Sequence, residues 1–381
     1  MTRLLLLSAL AGACGTLFAQ AAPEVVATGL RSPQKMVLTP RGNFLVSEPA
    51  MTANAGRISF VTRGGTRRSL IEGLPSGVDV TGNAGSGPTG LAVRQGTLYV
   101  AIGVGDAERS GPTPGTSVHN TSSPSSPLFA TVLRFRFNHE VDMIDGTFQI
   151  TPTQQRDLAD GKTLEIEDGR GGTARVMVLA RFPLSEPNAQ SIYKFSNPWG
   201  VTLSANGGEL WVADASMNSL VRVNTMTGFW ERVVRFAPVP NRTGVGAPVV
   251  DPVPTQVRGF LQNQLLVSYL TGFPFVPGNA RVMLVNPSTG ATSEFIYDLT
   301  SCTDFWVRTR GNQRPQFFVL EFSANQSAAQ PPPGRLLRYD TAESRVAATG
   351  LIAPVSLAFD EATDEMFILE LTGRILKLRI N

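Results

Sequence analysis

Two stretches of almost the same sequence lie near opposite ends of the chain: VVATGLRSP spans residues 25–33 and VAATGLIAP spans residues 346–354. Each stretch ends at a proline that begins a short apolar segment. That segment is followed by a polar turn and then by a second apolar segment. A pattern that recurs with most of the chain between its copies suggests that the intervening residues repeat it as well.

Four further copies of the pattern lie between the two ends. In each copy apolar and polar residues alternate, and a period of two indicates β-strands. A third strand, often opened by glycine and arginine as in GRISFV from Gly56, and a fourth strand complete each unit. Four antiparallel strands repeated six times predict an all-β fold, a six-bladed β-propeller. The six units begin at Pro33, Pro88, Pro198, Pro254, Cys302 and Pro354.

The repeated nonapeptide also predicts how the ring closes. Residues 346–354 connect the fourth strand of blade five to the first strand of blade six, and residues 25–33 form the same junction one blade later. The chain ends at GRILKLRIN, residues 373–381, after only three strands of blade six. We therefore expect the N-terminal segment EVVATG, from Glu24, to supply the missing fourth strand, which leaves no open sheet edge in the ring.

Two segments interrupt the repeat. Residues 107–130 are rich in serine and proline and predict a long loop. Residues 138–174 contain three Asp-Gly pairs, which are typical of hairpin turns. This second segment predicts a β-ribbon excursion between the third and fourth strands of blade two. Because the entropic cost of closing a loop grows slowly with its length, we expect that a short linker could replace it.

The N-terminus has the features of a secretory signal. Residues 1–21 combine Arg3, an apolar run and the small-residue site Ala19-Gln20-Ala21. Cleavage there would leave residues 22–381 as one propeller domain, exported to the periplasm or the cell exterior. In an alternative interpretation, Cys14 is a lipid anchor. No later apolar run is long enough to span a bilayer.

Composition and spacing argue against several kinds of site. The formal charge is +3, and no cluster of Lys and Arg is interleaved with aromatic residues, so we expect no nucleic-acid partner. His119 and His139 lack Cys, Asp or Glu at metal-ligand spacing, which argues against zinc. A Ser-His-Asp triad would need one of these histidines at the mouth of the propeller. Loss of Cys14 would leave Cys302 without a partner for an intramolecular disulfide.

The chain resembles the ScyD/ScyE family of exported six-bladed propellers, part of the NHL and TolB-like propeller superfamily. The resemblance rests on ATGLRSPQKMVLTPRGNFLVSE, GPTGLAVRQGTLYVAIGVGD, SNPWGVTLSANGGELWVAD and above all LTGFPF at residues 270–275. It covers roughly residues 24–378 apart from the excursion. It implies the fold and export, but no catalytic residues, since the activity of that family is not established. The pattern VAD…N at Asp214 and Asn218 is similar to NHL repeats, which are mostly interaction modules.

Aligning the residues that end the second strands gives a column in which four of six are acidic. Equivalent positions share one face of a propeller, so these carboxylates are calcium candidates. Alternatively, each accepts backbone N–H groups in its own turn or pairs with Arg57, Arg335 or Arg374. The column, in blade order, is Glu48, Ile102, Asp214, Tyr269, Glu321 and Glu370, and the calcium candidates are Glu48, Asp214, Glu321 and Glu370.

Aromatic and amide side chains in loops mark candidate binding positions. SNPWG supplies Asn197 and Trp199, and TGFPF supplies Phe273 and Phe275. Packing between blades is the alternative role for these aromatic residues. Tyr269, Glu48, Asp214, Glu321 and Glu370 complete the binding candidates.

These observations favour an exported, monomeric propeller that binds a small ligand or a protein at one face without catalysing a reaction. The alternative is a calcium-dependent esterase or lactonase of the gluconolactonase-like propeller type, in which Glu48, Asn197 and Asp214 would surround the metal. A scaffold that acts only through its rim is a third hypothesis. The fold alone does not decide among them.

Overall fold

The computed structural model describes residues 23–112, 116–187, 193–311, 313–341 and 343–380. The predicted signal at residues 1–21, with Cys14, lies outside these ranges. The described chain folds into six antiparallel sheets, each built on four consecutive strands of the repeat. Neighbouring first strands contact each other in all six pairs, including the pair from blades six and one. The sheets therefore form a closed ring around an axis, and the six-bladed β-propeller is confirmed.

Strands from both ends of the chain close blade six. The N-terminal strand Glu24–Ala27 pairs antiparallel with the C-terminal strand Arg374–Arg379, so that Glu24 lies opposite Lys377. The Lys377 ammonium lies 2.9 Å from the Glu24 carboxylate. The backbone N–H of Leu30 donates to the carbonyl of Gly373 at 3.2 Å. The nine-residue repeat therefore marks two equivalent blade junctions, as expected.

The first strand of each blade lines the axis and the fourth lies at the rim. The other two strands of blade six are Pro354–Asp360 and Glu365–Glu370. Blades one to five, each from first to fourth strand, comprise Lys35–Leu38, Phe44–Glu48, Gly56–Val61 and Arg67–Leu74; Pro88–Arg94, Thr97–Ile102, Thr131–Phe137 and Thr173–Arg181; Pro198–Leu203, Glu209–Asp214, Ser219–Asn224 and Trp230–Arg235; Pro254–Gly259, Leu265–Tyr269, Ala280–Val285 and Thr292–Leu299; Cys302–Arg308, Gln316–Glu321, Gly334–Tyr339 and Ser344–Leu351.

The two faces of the ring differ. Connections from second to third strands and from fourth to first strands emerge on one face, here called the loop face. The opposite face, the turn face, carries the connections from first to second and from third to fourth strands. Among the described residues, the loop face holds four added hairpins, Gly77–Val78 with Gly85–Ser86, Glu108–Ser110 with Ser117–His119, Ser185–Pro187 with Tyr193–Phe195, and Val239–Pro240 with Val249–Val250. Short 3₁₀ turns occur at Gly105–Ala107, Val141–Met143 and Leu261–Asn263.

In its described part, the segment 107–130 forms a short hairpin and a buried end rather than a long loop. Its Glu108–Ser110 and Ser117–His119 strands pair antiparallel. Leu128, Phe129 and Ala130 at its end are buried. These apolar side chains anchor the segment to blade two, and the serine-rich composition did not reveal them.

The excursion 138–174 contains the expected ribbon and more. Its strand Leu164–Glu167 pairs antiparallel with the fourth strand of blade two. A second strand, Phe148–Gln149, pairs parallel with the fourth strand of blade one. An α-helix, Pro152–Ala159, lies between them and begins at a capping box formed by Thr151 and Gln154. The excursion therefore extends two blades rather than one.

Buried side chains make the excursion part of the core. Its ends lie together as expected, since the N–H of Asn138 donates to the carbonyl of Thr173 at 3.0 Å. However, its side chains join the largest apolar cluster, which contains Leu70 and Ile71 of blade one. The expectation that a linker could replace it is therefore revised, because its removal would expose the rim of blade one to water. The excursion residues in this apolar cluster are Val141, Ile144, Phe148, Ile150, Leu158, Ile166 and Ala174.

Candidate ligand-binding site at the loop face

The glutamates of the acidic column fasten the junctions between blades. In blades one, five and six, the glutamate that ends the second strand accepts a backbone N–H from the junction before the first strand. Thr300 N–H donates to Glu321 at 2.6 Å and Ile352 N–H donates to Glu370 at 2.7 Å. Arg31 N–H donates to Glu48 in the same way. Each donor immediately precedes a residue with left-handed backbone, namely Ser32, Ser301 and Ala353.

The same three glutamates pair with the arginine near the start of the third strand. Arg57 Nη2 lies 2.7 Å from Glu48 and Arg374 Nε lies 2.6 Å from Glu370. Arg335 pairs with Glu321. These contacts match the second interpretation of the column, in which local donors engage each carboxylate. The recurring Gly-Arg that opens the third strand therefore has a structural partner in the same blade.

Asp214 of blade three has a related role with a shorter side chain. One carboxylate oxygen accepts the backbone N–H groups of Asn197 at 2.9 Å and Met217 at 3.1 Å, and the other accepts the hydroxyl of Ser196. Burial raises the pKa of Asp214 despite these hydrogen bonds.

These contacts bear on the calcium hypothesis. Within the described ranges, no three His, Cys, Asp or Glu side chains come together in a group that could hold a metal ion. Glu48, Asp214, Glu321 and Glu370 each lie in their own blade with their own hydrogen-bond donors. The lactonase hypothesis places Glu48, Asn197 and Asp214 around the metal, and Asn197 too has a partner within the protein. Its side-chain oxygen accepts the N–H of Val104 at 3.2 Å. The geometry favours a structural role for the column.

The aromatic candidates fall into different environments. Tyr269 is buried and its ring packs edge-on against Phe236, with centroids 5.1 Å apart. Burial raises the pKa of its hydroxyl. Phe273 is 68% exposed on the loop face, and Phe275 lies edge-on to it with centroids 6.3 Å apart. Tyr269 therefore packs in the core, whereas Phe273 is exposed to solvent.

Asn197 and Trp199 line a pocket of about 340 Å³ where the axis opens on the loop face, here called the mouth pocket. Five of its lining residues are the ones that follow the aligned proline, or Cys302, at the start of a first strand. Large apolar side chains from the second-to-third-strand connections complete the wall. The lining residues are Gln34, Asn197, Trp199, Ala215, Ser216, Val253, Thr255, Leu270, Thr303, Phe322, Gln326, Val355 and Leu371.

Hydroxyl groups brace this ring from blade to blade. Thr89 Oγ1 donates to the carbonyl of Pro198 at 2.7 Å. Thr255 Oγ1 donates to the carbonyl of Cys302, and Thr303 Oγ1 donates to the carbonyl of Pro354, both at 3.0 Å. Each bond joins the first strands of successive blades. The mouth pocket is therefore lined by a fixed ring of strand ends.

The polar groups of the mouth pocket are few and uncharged. None of its lining residues is an acid or a base. The side-chain oxygen of Gln326 is shielded from solvent and has no hydrogen-bond partner in the described chain. A buried acceptor without a donor is costly, and a ligand donor could reach this oxygen only if the Gln326 side chain turned toward the pocket.

The sequence identified only Asn197 and Trp199 of this pocket. The other strand-start residues, Gln34, Thr255, Thr303 and Val355, occupy the same aligned column as Trp199 and could have been found by comparing that column across blades. Phe322 and Gln326 come from a connection that the repeat does not align.

His119 lies on the loop face, 2.8 Å from the hydroxyl of Ser185. Its ring packs edge-on against Phe195, with centroids 5.0 Å apart. Glu108 lies opposite His119 in the hairpin, and its carboxylate accepts the hydroxyl of Ser117. The His119–Ser185 pair does not line the mouth pocket. Cys302 is buried, and burial raises the pKa of its thiol.

Comparisons with known proteins identify the fold only. Residues 195–223, which take in most of the first three strands of blade three, match the model of the NHL repeat. A crystal structure of a glucose dehydrogenase aligns with 95% of this chain and 100% of its own, at 12% identity and a TM-score of 0.50. The PQQ-bound aldose sugar dehydrogenase from Streptomyces coelicolor aligns with 94% of this chain and 97% of its own, at 13% identity and a TM-score of 0.46.

A nidogen–laminin complex also contains a similar chain. The alignment covers 86% of this protein and 92% of the similar chain, at 10% identity and a TM-score of 0.44. Curated proteins give no match. No helix in the described residues is long and apolar enough to cross a membrane. The chain thus shares the propeller fold, and residues 195–223 match the NHL repeat.

Proposed function

We propose that the protein is a binding module that takes a small, neutral and largely apolar ligand in the mouth pocket. The observation that carries this proposal is the lining itself: about 340 Å³ walled by Trp199, Leu270, Phe322 and other apolar groups, with amides and hydroxyls but no charged side chain. Ligand sites are typically concave, mostly apolar and oriented by a few polar groups.

The polar groups narrow the ligand class. Gln326 supplies a hydrogen-bond acceptor without a partner. Asn197 uses its oxygen on Val104, so its amide N–H groups remain as donors. A hydroxyl or amide on an otherwise apolar body would satisfy both groups. A charged ligand would lose hydration without finding an opposite charge in this pocket.

A thermal-shift screen tests the proposal. Neutral apolar compounds that carry a hydroxyl or amide should raise the melting temperature of the wild type, as any ligand of the native state does. Trp199→Ala should abolish that shift, since it removes the largest wall of the pocket. Phe229→Ala serves as the control, because Phe229 is exposed on the opposite face. Equal shifts in the wild type and Trp199→Ala would place the ligand elsewhere and refute the proposal.

We further propose that the mature module is exported and acts without catalysis, with the loop face, including exposed Phe273, available to a protein partner. Cell fractionation and mass analysis of the mature N-terminus test the export. The calcium-dependent esterase or lactonase is the less supported function, because Glu48 and Asp214 already accept hydrogen bonds from the protein.

A further inference from the structure

A second pocket, of about 270 Å³, lies along the axis beyond the mouth pocket and is here called the channel pocket. It runs between the first strands of the blades, from the level of Lys35, Gly90 and Gln256 toward the turn face. Its lining residues are Lys35, Met36, Val37, Leu38, Gly90, Leu91, Ala92, Val93, Val201, Thr202, Leu203, Gln256, Arg258, Trp306, Leu357, Ala358 and Phe359.

Only two of these lining residues are charged, and both are cations, Lys35 and Arg258. They share one carboxylate, that of Asp304. Arg258 Nη2 lies 2.9 Å from one oxygen of Asp304, and Lys35 Nζ lies 3.6 Å from the other. The side chains of Lys35 and Asp304 are 3% and 0% exposed. With both cations protonated, the cluster carries one positive charge in excess inside a largely apolar channel; burial lowers the pKa of Lys35, and the nearby Asp304 carboxylate opposes that shift.

Asp304 already accepts hydrogen bonds from its own surroundings. The N–H of Phe305 donates to one oxygen at 2.8 Å. The hydroxyl of Ser356 and the N–H of Leu357 donate to the other, both at 3.0 Å. The carboxylate has little remaining capacity to neutralise a second cation. A buried excess charge is unfavourable unless a counter-charge is bound.

Both cations retain donor capacity. Lys35 donates to the carbonyl of Thr303 at 3.1 Å, which uses one of its three N–H bonds. Arg258 donates through Nε to the carbonyl of Phe305 and through Nη2 to Asp304. Its Nη1 donates to no group in the part of the chain that the structure describes. The guanidinium is centred 4.1 Å from the ring of Trp306, which fixes its plane.

The outer part of the channel pocket is apolar. Leu38, Val93, Leu203 and Phe359, near the turn-face ends of their strands, form its wall. A ligand that fits has a single anionic head and an apolar body. We propose that the channel pocket binds an organic monocarboxylate, with its carboxylate on Arg258 and Lys35 and its apolar body toward the turn face. This site is separate from the uncharged mouth pocket.

Calorimetric titration of the full chain with benzoate tests the proposal, with benzamide and inorganic sulfate as comparison ligands. Benzoate should bind and raise the melting temperature. Benzamide should not, because it lacks the charge that the two cations need. Sulfate should bind more weakly, because it cannot use the apolar wall. If benzamide binds as well as benzoate, or sulfate binds as tightly, the proposal is wrong.

Variants locate the site. Arg258→Gln should weaken benzoate binding by about tenfold or more, the effect of losing a charge-assisted hydrogen bond. Val93→Phe fills the apolar part of the pocket and leaves the ion cluster intact, so it should also abolish benzoate binding. It tests the site independently if Arg258→Gln fails to fold. Trp199→Ala, which alters the mouth pocket, should leave benzoate binding unchanged. Benzoate affinity that survives Val93→Phe, or that falls in Trp199→Ala alone, would refute the assignment.

A crystal structure with 4-bromobenzoate gives the position directly. The bromine should appear in the channel pocket near Phe359, with the carboxylate toward Arg258. Bromine in the mouth pocket, or no bromine along the axis in a saturated crystal, would overturn the proposal.

Discussion

Replacing Glu370 by glutamine tests the role of the acidic column most directly. The Glu370 side chain is fully buried. Its carboxylate accepts the N–H of Ile352 at 2.7 Å and pairs with Arg374 at 2.6 Å. Glutamine has nearly the same shape and keeps one acceptor oxygen. It removes the charge and turns an amide group toward Arg374 or Ile352.

The expected loss follows from these contacts. Hydrogen bonds to charged groups contribute about 1.5–3 kcal/mol each, and removing one partner of a fully buried pair costs about 3–5 kcal/mol. The Arg374 side chain is 34% exposed, so water compensates part of its loss. We therefore expect Glu370→Gln to lower the free energy of unfolding by about 2–3 kcal/mol.

Denaturant unfolding of wild type and variant, with calcium and with a chelator, is the measurement. Glu343→Gln, at an exposed position on the turn face, is the matched control and should change stability by less than about 0.5 kcal/mol. Neither calcium nor the chelator should shift the wild-type transition, because arginine and backbone N–H groups already engage the carboxylate. Equal stability of Glu370→Gln and wild type would refute the structural role. A calcium-dependent gain in the stability of the wild type that Glu370→Gln loses would instead support a bound calcium ion.

Three further perturbations follow from the fold. Deleting residues 23–30 should cause a clear loss of thermal stability or aggregation, because blade six would lose its fourth strand; an unchanged melting curve would contradict the ring closure. Replacing residues 140–172 by a Gly-Ser linker should also destabilise the protein, since Phe148 and Leu158 are buried; a soluble variant with wild-type stability would show that the excursion is separable. Burial alone would raise the pKa of Asp304, but Lys35, Arg258 and the N–H of Leu357 hold it below its ordinary value of 3.8. Because a depressed carboxyl pKa stabilises the fold above that ordinary value, Asp304→Asn should cost about 3–5 kcal/mol at pH 7, and the difference from wild type should shrink as the pH falls below about 4; a pH-independent difference in urea unfolding would contradict this.

The sequence by itself determined the architecture, because a repeat is a local signal that can be read without contacts. Alternating apolar residues gave the strands, and the nonapeptide at 25–33 and 346–354 gave the ring closure. The pairing of Glu48, Glu321 and Glu370 with Gly-Arg segments was also open to sequence reasoning, since both members recur at fixed positions in the blade. The sequence left the choice between metal and arginine open, because a column shows which residues are equivalent and not which atoms meet.

Only the tertiary structure decided the two pockets and the place of the excursion. The mouth pocket draws on residues from five blades, and the channel cluster joins Lys35 of blade one, Arg258 of blade four and Asp304 of blade five. Lys35 and Asp304 are equivalent in the repeat, each two residues after Pro33 or Cys302, but Arg258 lies two positions further along its strand, and only ring closure brings the three side chains to one axis. The excursion was misjudged for a related reason: its apolar residues are irregularly spaced, and the surface they cover belongs to blade one, which precedes them by one full repeat. Burial against a distant segment depends on the closed ring, and it therefore leaves no local pattern in the sequence.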